Sequence, residues 1–533
     1  MKNQSSFVRG SAHSAHSQSS EALSIEPSRS PEAPSRRGLH LLCGILIALS
    51  SFGLCSCHSA SYYYYKFPEY NYAGRPVPPS KLAQRVMIGV TANGSQGALE
   101  IVDALRDIRS NVEDTIPSYS ISGYASGYPG TIFNFPAELR GYVYSNSDGS
   151  LTSISYSTEA STGSVGTFQS GSSAVAVPPA FGHFYGAEGA AGVLVIKDNA
   201  TGAGYGLNIP DVYKVVVNAG DTVVLAMVRN TNAVYRVFKL NEAQYPTSQA
   251  AIAATGSIDC QPNLLPVYCA VQVPGTYDRP AYVYYSLDGT TAYVLNCGAE
   301  CGGSAASITL LQQGPLNVNV IPTSPTQPNP QIANIPTPGG ATAALSDGTT
   351  LYIAGQSQFA VASNGTTIGT ENPQGLFAGY LTTINQATNK VTGAYSISDG
   401  SHSKMLFADN NTLWIGSQYC ATGERAYLGQ NYNCLTMGVL GGATLTPKVI
   451  PNVTPGSATA VVPYPNQDDN QYYYGSLTGI CWVQNYNKVY TAYGGQVHVF
   501  STVDGSEIDN QYVAVQGTAL DVAYMDALSD DAN

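Results

Sequence analysis

Beyond residue 250 the chain carries seven cysteines, and six of them fall into close pairs: Cys260 with Cys269, Cys297 with Cys301, and Cys420 with Cys434. In an oxidising compartment such pairs read as disulfides, each clipping a loop beside a strand. The seventh, Cys481, lies in the apolar stretch Gly479–Val483 and is expected as a buried free thiol. Metal binding is the competing chemistry. Cys297 and Cys301 have CxxxC spacing, but no second Cys or His pair follows at finger spacing, and the CxxCH pattern of haem attachment is absent. Histidines are few. His498 alternates with Val497 and Val499 and is expected to be an ordinary strand residue. His402, in Asp399–Ser403, and His183, in Phe181–Gly186, sit in turns entering strands and are the two candidates to face a central pocket. Asp504 with Glu507, and Asp468 with Asp469, offer oxygen ligands of the kind calcium takes, although turn chemistry is the plainer reading of acids in such positions. No HExxH, GxSxG or phosphate-loop motif occurs. Gly475–Gly479 places Leu477 where a nucleophile elbow needs Ser. We therefore assign no catalytic residue, no metal ligand and no cofactor.

Elements of a particular kind must position these groups. Only 11% of the 533 residues are charged and the net charge is −12, so the basic footprint of a nucleic-acid-binding protein is missing. The chain has 54 Gly, 31 Pro and 38 Tyr. Gly and Pro punctuate turns and Tyr favours strands, so an all-β fold is expected. Most of the tyrosines are read as strand and packing residues. A Tyr-rich rim for a glycan or protein ligand is the functional alternative.

The N-terminus reads as an export signal. Residues 1–34 are rich in Ser, Ala, Pro and Glu without an apolar period, and are expected to be disordered. Residues 35–56 combine Arg36 and Arg37 with an apolar run from Leu41 to Leu54. As a helix that run would span about 21 Å, short of a hydrocarbon core of about 30 Å, which fits a signal peptide better than a permanent span. Leu54–Cys57 resembles a bacterial lipobox: Ser56 is small and Leu54 stands three places before Cys57. The resemblance implies cleavage before Cys57, diacylglycerol on its sulfur and attachment to the bacterial cell envelope through lipid. Several acyl chains on one cysteine give stable anchoring where one is marginal. Residues 57–80, with Tyr62–Tyr65, are read as a tether, and 81–533 as the folded body.

Within that body one pattern recurs: an apolar strand, a turn built on Asp or Asn with Gly, and a second strand rich in aromatic and β-branched residues. The anchors are Asn93, Asp148, Ala219, Asp288, Asp347, Asp409 and Asn485. Asp-Gly and Asn-Gly supply the positive φ angles of tight hairpins. A second hairpin follows many anchors, so each unit has four strands, and seven units are expected. Four-stranded sheets repeated around an axis form a β-propeller. Asp288–Asn296 and Ser346–Ile353 resemble the bacterial propeller repeats named after Tyr-Val-Thr-Asn. Ala519–Tyr524 has no unit of its own and is expected to close the ring by pairing near Arg85–Val90, because an unpaired edge would be an aggregation hazard. The Pro-rich segment Ile321–Pro330 is read as a long loop between blades. Only Trp414 and Trp482 occur, too few for the recurring tryptophans of quinone-dependent propeller dehydrogenases.

The expectation is an exported, lipid-anchored, monomeric propeller that binds a protein or glycan. The alternative is a lactonase- or glycan-lyase-like enzyme with a metal in the central pocket. Three or more carboxylate or amide groups converging on the axis would favour the enzyme.

Overall fold

Eight antiparallel sheets follow one another around an axis in the computed structural model. It describes residues 71–109, 118–240, 244–261, 265–357, 360–361, 367–368, 378–420, 433–441, 444–451, 474–508 and 513–530. The signal, Cys57, Tyr62–Tyr65, Asp468 and Asp469 lie outside these. Blade I joins the two ends of the body, with Thr518–Tyr524 innermost, then Arg85–Ala92 and Gln96–Asp103. The innermost strands of blades II to VIII are Pro129–Phe135, Ala174–Ala176, Val212–Val217, Pro280–Tyr285, Ala343–Ser346, Ser401–Ala408 and Leu477–Val483. Each blade then steps outward through consecutive hairpins. Blade IV departs from this order: its fourth strand, Val267–Gln272, is followed at the edge by the earlier Asp259–Cys260.

Ring closure occurs where the sequence places it. Tyr524 pairs with Val86, Ala523 with Met87 and Val522 with Ile88. The clasp is also ionic. Buried Arg85 meets Asp526 through Nη2–Oδ1 at 2.7 Å and Nε–Oδ2 at 3.0 Å, and Glu159 of blade II at 3.0 Å. Burial opposes the Arg85 charge, yet the Asp526 and Glu159 carboxylates outweigh it and hold the guanidinium pKa above its ordinary value. Arg75, within the segment expected as tether, reaches the same Asp526 at 3.0 Å.

The blade count is eight, not seven. The missed blade is III, whose later strands are His183–Glu188, Val193–Asp198 and Gly204–Asn208. Its hairpins turn on Gly189–Gly192 and Asn199–Gly202, with Gly192 and Gly202 at φ +67° and +71°, so no Asp-Gly anchor marks it. The frame also changes there. Asp148 closes the hairpin between the second and third strands of blade II, whereas Ala219 lies in the turn between the first and second strands of blade IV. The interval between these anchors therefore hid a whole sheet.

Each seam between neighbouring blades has its own apolar core. Val143 and Ile154 of blade II pack with Met87 and Leu99 of blade I. Leu381 and Ile397 of blade VI pack with Leu413 and Ile415 of blade VII. A lone sheet would leave both faces wet. Stacking contributes about 1.5–3 kcal/mol for each large aliphatic side chain it buries.

The three cysteine pairs are disulfides: Cys260–Cys269, Cys297–Cys301 and Cys420–Cys434. Cys481 is buried and free. Ile321–Pro330 does not separate blades, as the sequence reading had it. It joins the third and fourth strands of blade V, Ser307–Gln312 and Gln331–Pro336. From there it folds over blade IV, where Gln327 donates to Thr255 O at 2.8 Å, and Arg236 donates to O of Val320, the residue just before the segment, at 2.9 Å.

Candidate functional site at the propeller axis

Six innermost strands share an irregularity. Their pairing with the next strand skips one residue, at Gly130, Tyr213, Ala281, Ser403, Thr478 and Leu520. A bulge of this kind re-aims the side chain that follows it. The following residues are Thr131, Lys214, Tyr282, Lys404, Gly479 and Asp521, and several of them meet one another. Lys404 Nζ lies 3.1 Å from Asp521 Oδ1. Asp521 Oδ2 accepts from Ile132 N at 2.9 Å. A Cβ at Gly479 would lie 2.5 Å from Asp521 Oδ1, so only glycine leaves room for that carboxylate. Lys214 Nζ lies 5.2 Å above the Tyr282 ring. The bulges thus gather charged groups into a layer within a ring whose seams are apolar.

Beside that layer lies a pocket of about 340 Å³. Ile132, Phe133, Met405 and Ile480 supply apolar wall, and Lys404 and Asp521 supply charge. Asn134 and Asp530 also border it, and each makes a structural hydrogen bond. Asn134 donates to Tyr524 O and accepts from Tyr156 Oη, while Asp530 accepts from Ala137 N. Asp521 is held by Lys404 and by the backbone. Asn134 and Asp521 therefore tie neighbouring blades together, while Asp530 is partly exposed at the pocket edge. Among the described residues, no group of three or more His, Cys, Asp or Glu is placed to hold a metal ion.

Cys481 borders the same pocket, yet burial above all, with the Asp521 charge adding to it, pushes its thiol pKa well above the ordinary value. At neutral pH it is a protonated thiol and a poor nucleophile. Lys214 has the opposite bias. Burial first, then repulsion from the Lys404 ammonium, lowers its pKa. Protein surrounds Lys214 while part of its surface stays open, as befits a channel residue.

Neither histidine candidate faces this pocket. His183 sits in the seam between blades III and IV, with Nδ1 2.6 Å from Asp221 Oδ2 and Nε2 3.0 Å from the Tyr268 hydroxyl. Tyr185 donates to the other Asp221 oxygen at 2.7 Å. His402 precedes the blade VII bulge and turns inward to the protein. Its Nε2 lies 2.7 Å from Ser398 O and so must carry the proton, while buried Nδ1 has no partner among the described residues. Burial lowers its pKa to about 4. His498, read as a strand residue, is fully buried with Nδ1 2.7 Å from Glu507 Oε1. Glu507 also accepts from Tyr474 at 2.7 Å, and Asp504 Oδ1 accepts from Ser506 N and Oγ.

The anchors occupy tight turns. Asn93 and Asn485 have φ of +55° and +67°, and Asn410, next to the anchor Asp409, has +62°. Asp148, Asp288 and Asp347 accept backbone N–H groups of Ser150, Thr290 and Thr350. In the Ala219 turn, Asn218 Oδ1 accepts from Thr222 N and Val223 N instead. Asp409 reaches the next blade's anchor turn, accepting from Asn485 N and Asn487 N.

Sequence reasoning missed Lys214, Lys404 and Asp521. The available signal was a lone charge inside an apolar inner strand, as in Leu520–Val522 and Lys214–Val217.

No protein-family model matches the chain, and no curated protein matches it. Among solved structures the chain is similar to dihydro-heme d1 dehydrogenase NirN in complex with DHE, at 12% identity and TM-score 0.45, over 86% of this chain and 82% of that one. It is also similar to apo AztD from Citrobacter koseri, at 10% identity and TM-score 0.44, over 82% and 97%. A putative 6-phosphogluconolactonase from Bacteroides fragilis matches at 10% identity and TM-score 0.40, over 83% and 97%. None of these likenesses assigns a residue or a reaction to this chain.

Proposed function

We propose that the protein is an exported, lipid-anchored β-propeller that acts as a binding module at the bacterial cell envelope. In this reading residues 35–56 are the signal peptide, Cys57 carries the lipid, and a glycan or protein ligand presents a group to the axial pocket. Three disulfides fit an oxidising compartment. No helix among the described residues is long and apolar enough to cross a membrane. The Tyr-Val-Thr-Asn resemblance of Asp288–Asn296 belongs to the same reading.

The observation that carries the binding role is the chemistry of the pocket: an apolar wall beside one ion pair, Lys404 with Asp521. Such a site holds a ligand through apolar contact and orients it through charge. Two measurements test the proposal. In a bacterial host, Cys57→Ala should abolish incorporation of radioactive palmitate, and persistent labelling would refute the lipid anchor. The purified body should bind members of a glycan or peptide array, and Ile132→Trp, which fills the pocket, should remove that binding without changing the melting temperature. Binding indifferent to Ile132→Trp would place the ligand elsewhere.

A further inference from the structure

The geometry points to an oxyanion site at the axis: a small carboxylate- or phosphate-bearing ligand held between Lys214 of blade IV and Lys404 of blade VII. This deepens the axial binding reading and rests on it.

Three observations converge. First, equivalent bulges set both lysines into the axial layer, Lys214 after Tyr213 and Lys404 after Ser403. Second, their charges are not balanced there. Lys404 has Asp521 at 3.1 Å, and that carboxylate is shared with Ile132 N. The Lys214 ammonium has no hydrogen bond and no carboxylate at ion-pair distance among the described residues, only the face of Tyr282 at 5.2 Å. Third, the two ammonium groups repel one another, and burial and that repulsion both depress the Lys214 pKa. A protein of net charge −12 has thus kept an uncompensated ammonium beside a second lysine on its axis.

For stability alone an apolar residue would serve better, since a half-buried charge without a partner is partly desolvated at a cost that a Met of similar length does not carry. An oxyanion resolves the arrangement. Its oxygens accept charge-assisted hydrogen bonds from both lysines and cancel their repulsion. Phe133, Met405 and Ile480 line the pocket on the Lys404 side and would there cover the uncharged remainder of the ligand. The remaining charge at the pocket, Asp530, is tied to Ala137 N, and Asp526 is tied to Arg85 and Arg75. Neither is placed to neutralise Lys214.

The test is isothermal titration of the disulfide-intact body at low salt with three probes: glucuronate, inorganic phosphate and glucose. Glucuronate or phosphate should bind, and the stronger of the two identifies the oxyanion. Lys214→Met should weaken that binding roughly ten- to hundredfold, the loss of one charge-assisted hydrogen bond. Lys214→Arg should retain most of it. The melting temperature of K214M should equal or exceed that of the wild type, which separates lost binding from lost folding. If K214M does not fold, the wild-type affinity should still fall steeply with added sodium chloride, and a salt-independent affinity would overturn the inference. It is likewise overturned if neither anion binds, or if both bind K214M as they bind the wild type. Glucose binding alone, abolished by Ile132→Trp, would overturn the oxyanion site while leaving the axial binding reading intact.

Discussion

Replacing Asp526 by Ala removes one carboxylate from the place where the two ends of the body meet. Asp526 accepts from Arg85 N at 2.7 Å, Arg85 Nε at 3.0 Å, Arg85 Nη2 at 2.7 Å and Arg75 Nη1 at 3.0 Å. Arg85 and Asp526 are only 3% and 4% exposed, so solvent cannot take over the lost bonds. Glu159 and Tyr156 O still hold Arg85 Nη1, but Nε and Nη2 lose their acceptor. Breaking a buried pair by removing one partner costs about 3–5 kcal/mol. Unfolding entropy of ~2.1 cal/mol/K per residue over about 450 residues converts 4 kcal/mol into a melting shift of roughly 4 °C. Scanning calorimetry should show that shift at neutral pH, with the disulfides intact in both proteins. A melting temperature within about 1 °C of the wild type would refute the claim that this cluster fastens the ring.

Further outcomes follow from the same geometry. Deleting residues 519–533 strips blade I of its inner strand and uncovers buried Val86, Met87, Ile88 and Val90 of the strand it pairs with, so circular dichroism should show an unfolded body, and an unchanged melting curve would disprove closure at blade I. Glu300 docks from the Cys297–Cys301 loop onto Gln356 N at 3.0 Å, and burial raises its pKa to about 7. Because the folded pKa is raised, its proton favours the folded state fully below the unfolded value near 4.5, and that contribution is lost as pH rises through 7. Glu300→Gln should therefore raise the melting temperature by roughly 1–3 °C at pH 8 and leave it unchanged at pH 4.5, and equal effects at both would contradict the burial argument. Peptide mapping after alkylation in denaturant without reductant should modify Cys481 and none of the six paired cysteines, and alkylated Cys297 and Cys301 would refute their bond.

Much of the fold was legible because turns are local. Asp288-Gly289 and Asp347-Gly348 declare a hairpin through the φ that glycine supplies, +71° and +88°, and through an Asp oxygen that caps the next N–H groups. The pairing Cys420–Cys434 and the closing role of Ala519–Tyr524 were legible for a related reason: a short separation, or a strand with no local partner, leaves few alternatives. Blade III was not legible, because Gly189–Gly192 and Asn199–Gly202 turn without an Asp-Gly or Asn-Gly pair. Nor was the axial site. Whether Lys404 or His402 meets the axis depends on the single skipped residue, Ser403, between them, and a bulge is a property of two paired strands. His402, a polar residue before a strand, ended buried against Ser398 O, while Lys404 met an aspartate 117 positions away.

The residue sequence by itself determined a turn-rich β chain of repeated hairpins, its cysteine pairing and its closing strand, because each depends on neighbours in the chain or on one obligatory partner. Tertiary structure alone decided that eight sheets complete the circle and that Lys214, Lys404 and Asp521 share its axis. Seam packing sets how many sheets close a ring, and strand register sets which side chains look inward. Both are settled between residues far apart in the chain.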